Sequence, residues 1–224
     1  MPEDAPEFPF LQRALRKIRL VFDTWYPWDQ RRIASRIVPL TIRRLEESDL
    51  AWCERLYHLN ESFGVPPDRG SIFHDYLRSD DTLKLIAEDS GGRVATFGLY
   101  WYGGREHHLG YLCYLLVDPG AHRKGIGTTL VISALSMLAV DRDAKFMGLS
   151  ALDSALRFYR KLGFDSLEQG EEHGVKVNFA LLGPLEVSLL WDCRRFLAEA
   201  GVKIPDLSAE IPSRALPAHS QPAA

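Results

Sequence analysis

No apolar run in this chain approaches the roughly 18 residues that a membrane-spanning helix requires. Cysteine is scarce: Cys53, Cys113 and Cys193 are the three in 224 residues, widely separated and set in apolar segments. An odd, scattered set does not build a disulfide framework. It reads as buried free thiols in a reducing compartment, so the expected location is cytoplasmic. No internal repeat is visible. A strong charge of one sign is also missing. The formal net charge is −3, so no global field draws the chain toward nucleic acid, and any basic site must be local. The first residues, Met-Pro-Glu-Asp-Ala-Pro-Glu, are acidic and unlike a secretory leader.

What is present fits a soluble globular protein. Hydrophobic residues make up 46% and charged residues 25%, over a length that suits one domain with extensions or two small ones. Residues 1–40 form a basic amphipathic extension. In it Leu11, Leu15, Ile18, Phe22 and Trp25 recur at helical spacing beside Arg13, Arg16, Lys17 and Arg19. One reading is an interfacial helix, with membrane contact through residues 10–36. The other is a helix packed on its own domain or on a second copy in a homodimer. Trp25, Tyr26 and Trp28 favour the packed helix, as cover for a sheet edge. Residues 184–203 carry a C-terminal helix, and residues 204–224, rich in Pro, Ala and Ser, read as a disordered tail.

Between these lies a zone, residues 41–183, of alternating strand-like and helix-like segments. LTIRRL, TLKLIAED, RVATFGLYWY, HLGYLCYLLV, KFMGLSA and KVNFALLG read as strands. EESDLAWCERLYHLNESF (capped by Ser48), SIFHDYLRS, TTLVISALSMLAV and DSALRFYRKLG read as helices. Hairpins followed by strand–helix–strand units give a mixed α/β sheet.

The stretch YLLVDPGAHRKGIGTTLVISAL, Tyr114 to Leu135, places two glycines and a basic pair at the mouth of a helix. A helix N-terminus exposes unpaired N–H groups and partial positive charge, and glycine lets an anion approach the backbone. A dinucleotide fingerprint fits less well, because Leu130 stands where a third Gly or Ala is wanted. No Gly-Lys-Ser/Thr follows, so the loop is not a P-loop.

Two motifs add specificity. LLVDPGAHRKGIGTTL resembles the acetyl-CoA loop of the GNAT N-acetyltransferases, with Val117, Pro119, Gly125 and Gly127 matching. His122 stands where that family expects Gln or Arg, and Arg123 where Gly is common. ALRFYRKLGF resembles the family's later helix, with Ala155, Phe158, Tyr159, Gly163 and Phe164 matching and Leu152 replacing a frequent Asn. The resemblance covers about residues 41–183.

It implies an α/β fold with a mixed, mostly antiparallel central sheet of about six to seven strands flanked by helices. It also implies acetyl-CoA as acyl donor, no metal, and a cleft between two splayed strands. In that cleft the backbone of Leu115, Leu116 and Val117 would pair with pantetheine. His122, Arg123, Lys124, Gly125, Ile126, Gly127 and Thr128 would hold the pyrophosphate. The Leu115 N–H would steady the oxyanion of an acetyl thioester under direct attack by a primary amine. Tyr159 would protonate the departing thiolate, a phenol of pKa ~10 against ~8.5 for a thiol.

The attacking amine must be neutral, yet at a pKa of ~10.4 only about one molecule in a few thousand is neutral at pH 7. Family members often carry a Glu six residues before the Val, where this chain has Tyr111. Glu106 and His108 lie just upstream, either as bases on one strand face or as part of a solvated turn. Glu61, Phe63, Phe73, Asp75, Tyr76, Trp101, Tyr102 and Tyr111 would border an amine-bearing acceptor. They do not choose between a small amine, a peptide and a protein. A second reading is a non-catalytic acyl-CoA-binding module acting through a partner. The replaced carboxylate and His122 motivate it, and the retained Tyr159 opposes it.

Overall fold

A computed structural model describes residues 33–102, 108–142, 144–172, 175–183, 187–206 and 211–214. The leader stripe from Leu11 to Trp25, and Glu106, lie outside the described residues. One sheet organises the rest. Its strands are β1 (Thr41–Arg44), β2 (Leu83–Asp89), β3 (Gly92–Tyr102), β4 (Leu109–Val117), β5 (Phe146–Ala151), β6 (Asp165–Glu172), β7 (Val175–Leu182) and the two-residue β8 (Ser213–Arg214). Their order is β1-β2-β3-β4-β5-β7-β6, with β8 alongside β3. Among the described strands β4–β5 and β3–β8 pair in parallel and the others antiparallel, with one isolated parallel bridge between Thr41 and Lys203. This is the mixed, mostly antiparallel sheet the sequence implies.

Among the described residues five α-helices flank the sheet: α1 (Leu50–Leu59), α2 (Gly70–Arg78), α3 (Ile126–Arg142), α4 (Asp153–Lys161) and α5 (Val187–Glu199). Alternation along the strands sorts them onto two faces. On β2, Leu83, Leu85 and Ala87 join the core that contains α3, α4 and α5. Ile86 points the other way, into a smaller core with Cys53, Leu56 and Tyr57 of α1 and Phe73, Tyr76 and Leu77 of α2. α3 is buried on nearly every side, from Leu130, Val131 and Ile132 to Leu135, Met137 and Leu138. It lies between the sheet and α5, which explains why its sequence is apolar all round rather than striped.

The structure changes several expectations. β6 did not read as a strand, because DSLEQGEE is polar and does not alternate; it is an edge strand held by its register with β7. Ser48 is not a cap. It lies inside the turn before α1, where the Asp49 carboxylate accepts the Glu46 N–H at 2.9 Å. The tail is not uniformly unstructured: Ile211 is buried, the Pro212 C=O accepts the Trp101 N–H at 2.9 Å, and β8 follows. The end of the first extension also belongs to the core. Ile33, Ile37 and Leu40 are buried, and the Val38 N–H donates to Thr129 Oγ1 on α3 at 3.0 Å.

That last contact accounts for a glycine. Gly125 has φ +93°, and a Cβ placed on it would lie 2.2 Å from the Arg36 carbonyl oxygen. The requirement for glycine is met inside the chain, by backbone crossing backbone, with no ligand needed to explain it. Gly125→Ala should therefore destabilise the unliganded protein by roughly 2–4 kcal/mol, combining left-handed strain with overpacking. Gly127→Ala, facing only the Phe158 ring at 3.3 Å, should cost less. Thermal unfolding of the two variants checks this, and an unchanged melting temperature for Gly125→Ala would refute it.

Candidate active site

β4 and β5 pair from Leu109 opposite Phe146 to Leu112 opposite Leu149, and then part. β5 continues on β7, with Ser150 opposite Phe179 and Ala151 opposite Asn178. β4 stays with β3, but its register slips: Thr96 faces Leu116 and Gly98 faces Cys113, so β4 spends three steps where β3 spends two. This is a β-bulge, and Tyr114, at φ +46°, takes the left-handed conformation within it. Past the bulge the Asp118 N–H donates to the Val94 C=O at 2.8 Å. By alternation Leu116 also addresses β3, while Leu115 and Val117 turn their N–H and C=O groups toward the gap. Of the three residues expected to pair with pantetheine, Leu115 and Val117 are so oriented. Leu116 is a core residue under α1 and α2.

The Val117 C=O accepts two side-chain hydrogen bonds, from Asn60 Nδ2 at 3.1 Å and from His122 Nε2 at 3.1 Å. Asn60 is buried and also donates to the Leu56 C=O, tying the end of α1 to the end of β4. Nothing in the sequence marked it. The His122 ring thus turns back toward β4, with Phe63 edge-on at 4.7 Å. Arg123 and Lys124 are exposed, and Arg123 sits at φ +62°, the conformation that makes glycine common at this place in the resembled family. α3 then begins. The N–H groups of Ile126, Gly127 and Thr128 have no carbonyl within the helix to bond, and the positive end of a 17-residue helix lies there.

Phe158 of α4 stands over Gly127, so the neighbouring Tyr159 shares this end of the sheet. Tyr159 is buried between the rings of Phe158 and Phe164, at 5.0 and 5.6 Å. Burial raises its phenol above the usual tyrosine range, so it stays protonated at neutral pH.

The expected acceptor residues do not form one group. Phe73 and Tyr76 are core residues between α2 and the sheet; the Tyr76 hydroxyl fills the space over Gly98, where a Cβ would come within 2.1 Å. Trp101 packs toward the opposite face, with the larger core. Glu61 is at the end of α1, paired with His58 at 2.6 Å. His108 precedes β4 at the end away from the bulge, seven residues and about 20 Å of strand from Leu115, which removes it as a base at the thioester. Tyr111 does lie beside the gap. It hydrogen-bonds Ser150 of β5, and Ser150 donates to Glu172 Oε1 of β6 at 2.6 Å. Ser150 and Glu172 carried no signal in the sequence: one is a small residue in an apolar strand, the other one of several acids in an unrecognised strand. Among the described residues no group of three His, Cys, Asp or Glu side chains could hold a metal ion.

Burial holds Tyr76, Tyr100, Tyr111 and Tyr159 above the usual phenol range and lifts the Cys53 thiol to about 11. Below about pH 7.5 these groups are essentially neutral in both states and contribute nothing to pH dependence. Above it the unfolded chain ionises first, at about pH 9 for the thiol and about pH 10 for the phenols, so stability should fall as pH rises. Denaturant midpoints at pH 8 and pH 11 should differ markedly, and equal midpoints would contradict the assignment.

Residues 48–164 match the acetyltransferase (GNAT) family, a span of just over half the chain. The chain belongs to that family and is, by class, an N-acetyltransferase. Solved structures share the fold. A GNAT-family acetyltransferase from Staphylococcus aureus Mu50 is 19% identical, with a TM-score of 0.50 over 65% of this chain and 99% of its own. An acetyltransferase of the same family from Desulfovibrio desulfuricans is 14% identical, with a TM-score of 0.53 over 65% and 99%. AAC(6′)-Ib, solved with ribostamycin and coenzyme A, is 18% identical, with a TM-score of 0.52 over 65% and 93%. No curated protein sequence gave a significant match.

Proposed function

We propose that the protein transfers the acetyl group of acetyl-CoA to a primary amine by direct attack. The observation that carries this reading is the gap itself: β4 leaves β5 after Leu112, and the N-terminus of α3 and Tyr159 stand at the same end of the sheet. In this reading the first N–H groups of α3, with Arg123 and Lys124, bind the pyrophosphate. Backbone groups of Leu115 and Val117 pair with the pantetheine arm. The Leu115 N–H steadies the oxyanion as nitrogen adds to the thioester carbon. Tyr159 gives its proton to the sulfur as the C–S bond breaks. The acceptor is an amine, as the names of AAC(6′)-Ib's bound ribostamycin and of spermidine N-acetyltransferases suggest for those proteins. A cytoplasmic location is part of this reading, since Cys53, Cys113 and Cys193 are scattered in apolar segments and form no disulfide; no described helix is long and apolar enough to cross a membrane.

One observation favours the second reading, a non-catalytic acyl-CoA-binding module. The Val117 C=O already holds two donors, so a pantetheine amide must displace Asn60 or His122 to pair there. Calorimetry with acetyl-CoA, followed by coenzyme A release with a panel of amines, separates the two. Binding with release is expected, whereas binding without release from any amine would establish the module. Tyr159→Phe should leave acetyl-CoA affinity unchanged and lower turnover by ~10²–10⁴-fold. Unchanged turnover would return Tyr159 to a packing role.

A further inference from the structure

An amine acceptor reaches the site as an ammonium ion, and one proton must leave the nitrogen before or as it attacks. Most carboxylates near the site are committed elsewhere. Asp118 accepts the Gly120 N–H at 2.7 Å, Asp153 accepts Asn178 Nδ2 at 2.6 Å, and Glu61 is paired with His58. Asp49 is held by Arg43 and Arg93, and Glu54 by His74 and Arg78. Glu172 differs in its place: among the described residues it is hydrogen-bonded through Oε1 to the hydroxyl of Ser150, the first residue of β5 past its last rung with β4, and no Lys, Arg or His pairs with it.

The geometry points to Glu172, oriented by Ser150 and Tyr111, as the group that takes the proton from the acceptor amine; this rests on the acetyl-transfer reading above. Leu112 opposite Leu149 is the last rung between β4 and β5. Ser150 is the next residue of β5, level with Cys113 and so within about 7 Å of strand of Leu115. Its side chain lies on the α1/α2 face with Tyr111, whose ring lies so close over Gly148 that a Cβ there would meet it at 3.1 Å. β6 and β7 bring Glu172 over the same place.

The proton order of the chain is fixed. Ser150 has one hydroxyl proton and gives it to Glu172, so Tyr111 must be the donor to Ser150 Oγ. Tyr111 is held for this by Tyr100, stacked at 4.9 Å and 23°, with Tyr102 edge-on at 6.1 Å. Two donors in series point toward Glu172. Its second oxygen, Oε2, engages no described residue and is left to meet the ammonium.

The step balances. Glu172 accepts one proton from R–NH₃⁺, directly or through one water. The nitrogen lone pair forms the C–N bond, and the thioester C–S bond breaks with its electron pair on sulfur. Tyr159 protonates that thiolate, and the second nitrogen proton, lost as the amide forms, restores Tyr159 through solvent. Glu172 releases its proton to water before the next turnover. Glu172 is the catalytic residue in this scheme, and Ser150 and Tyr111 are positioning residues.

The test uses the full chain with acetyl-CoA and a panel of primary amines: a diamine, a polyamine, an aminoglycoside and peptides with free α- and ε-amines. Glu172→Gln should lower kcat/KM for the best alkyl amine by at least ~10²-fold at pH 7.5, with acetyl-CoA affinity within about twofold of wild type. Glu172→Asp should recover part of the loss. Ser150→Ala and Tyr111→Phe should lose less than Glu172→Gln, and mainly in kcat. Hydroxylamine, already neutral at this pH, should be acetylated by Glu172→Gln nearly as well as by wild type, which a merely misfolded variant could not do. A folded Glu172→Gln protein within about threefold of wild type on alkyl amines would overturn the assignment, as would an equal loss on hydroxylamine. If the wild type binds acetyl-CoA but acetylates no amine, the acetyl-transfer reading fails and Glu172 falls with it. Failure of Glu172 alone is recognised by an active wild type and an equally active Gln variant.

Discussion

The structure turns on one extra residue in β4. That strand must hold β3 along its whole length and release β5 after Leu112, and the bulge at Tyr114 lets it do both. A left-handed tyrosine is strained by about 1–2 kcal/mol. Packing offsets the strain: the Tyr114 ring lies 4.1 Å from Tyr76 and 5.2 Å from Phe73. Tyr76 can occupy that position because Gly98 on β3 leaves room for its hydroxyl. The aromatic wedge of α2, the missing side chain on β3 and the bulge on β4 are therefore one device, and removing any part leaves the others unsupported.

The glycine loop is set in place from outside as well. Residues 33–40 run past the start of α3, with the Arg36 carbonyl against Gly125 and Val38 bonded to Thr129. The Leu40 C=O accepts from Lys203, and the Lys203 C=O accepts from Ile42, so the segment after α5 closes over the first strand. At the same edge Arg43 joins Asp49 at 2.6 Å and Glu88 at 2.8 Å, while Arg93 reaches Asp49 at 3.1 Å. Asp49 is fully buried, and an ion network of this kind costs desolvation that largely cancels its attraction. Its effect is geometric: it fixes β1, the turn before α1 and the β2–β3 pair in one register.

The sequence was legible where physics leaves a local pattern. Apolar β3 and β4, the all-apolar α3 and the Gly-x-Gly turn were readable from periodicity and residue type, and the two motifs joined them into a family. Three things had no local pattern. β6 is polar and gains its conformation from β7. Asn60, Ser150 and Glu172 act through partners 57, 39 and 22 residues away, and such distances leave no trace in spacing. Phe73 and Tyr76 read as lining for an acceptor because aromatics beside carboxylates suit an amine. Helical facing decides the matter instead, turning both rings into the core and Asp75 toward water.

The same facing separates the two groups proposed for the proton tasks of an acyl transfer. Tyr159 belongs to the core of α3 and α4, on one side of the sheet. Tyr111 and Ser150 point to the other side, where α1 and α2 lie, with Glu172 brought over from β6. The gap lies in the plane between them, lined by the backbone of β4. In the proposed reading a thioester in that plane would have the Tyr159 phenol toward its sulfur and the Glu172 carboxylate toward the incoming nitrogen. In the proposed scheme a phenol kept protonated by its burial and a carboxylate hydrogen-bonded by a neutral hydroxyl approach the gap from opposite faces, because the strands that part there carry the two groups on opposite sides of the sheet.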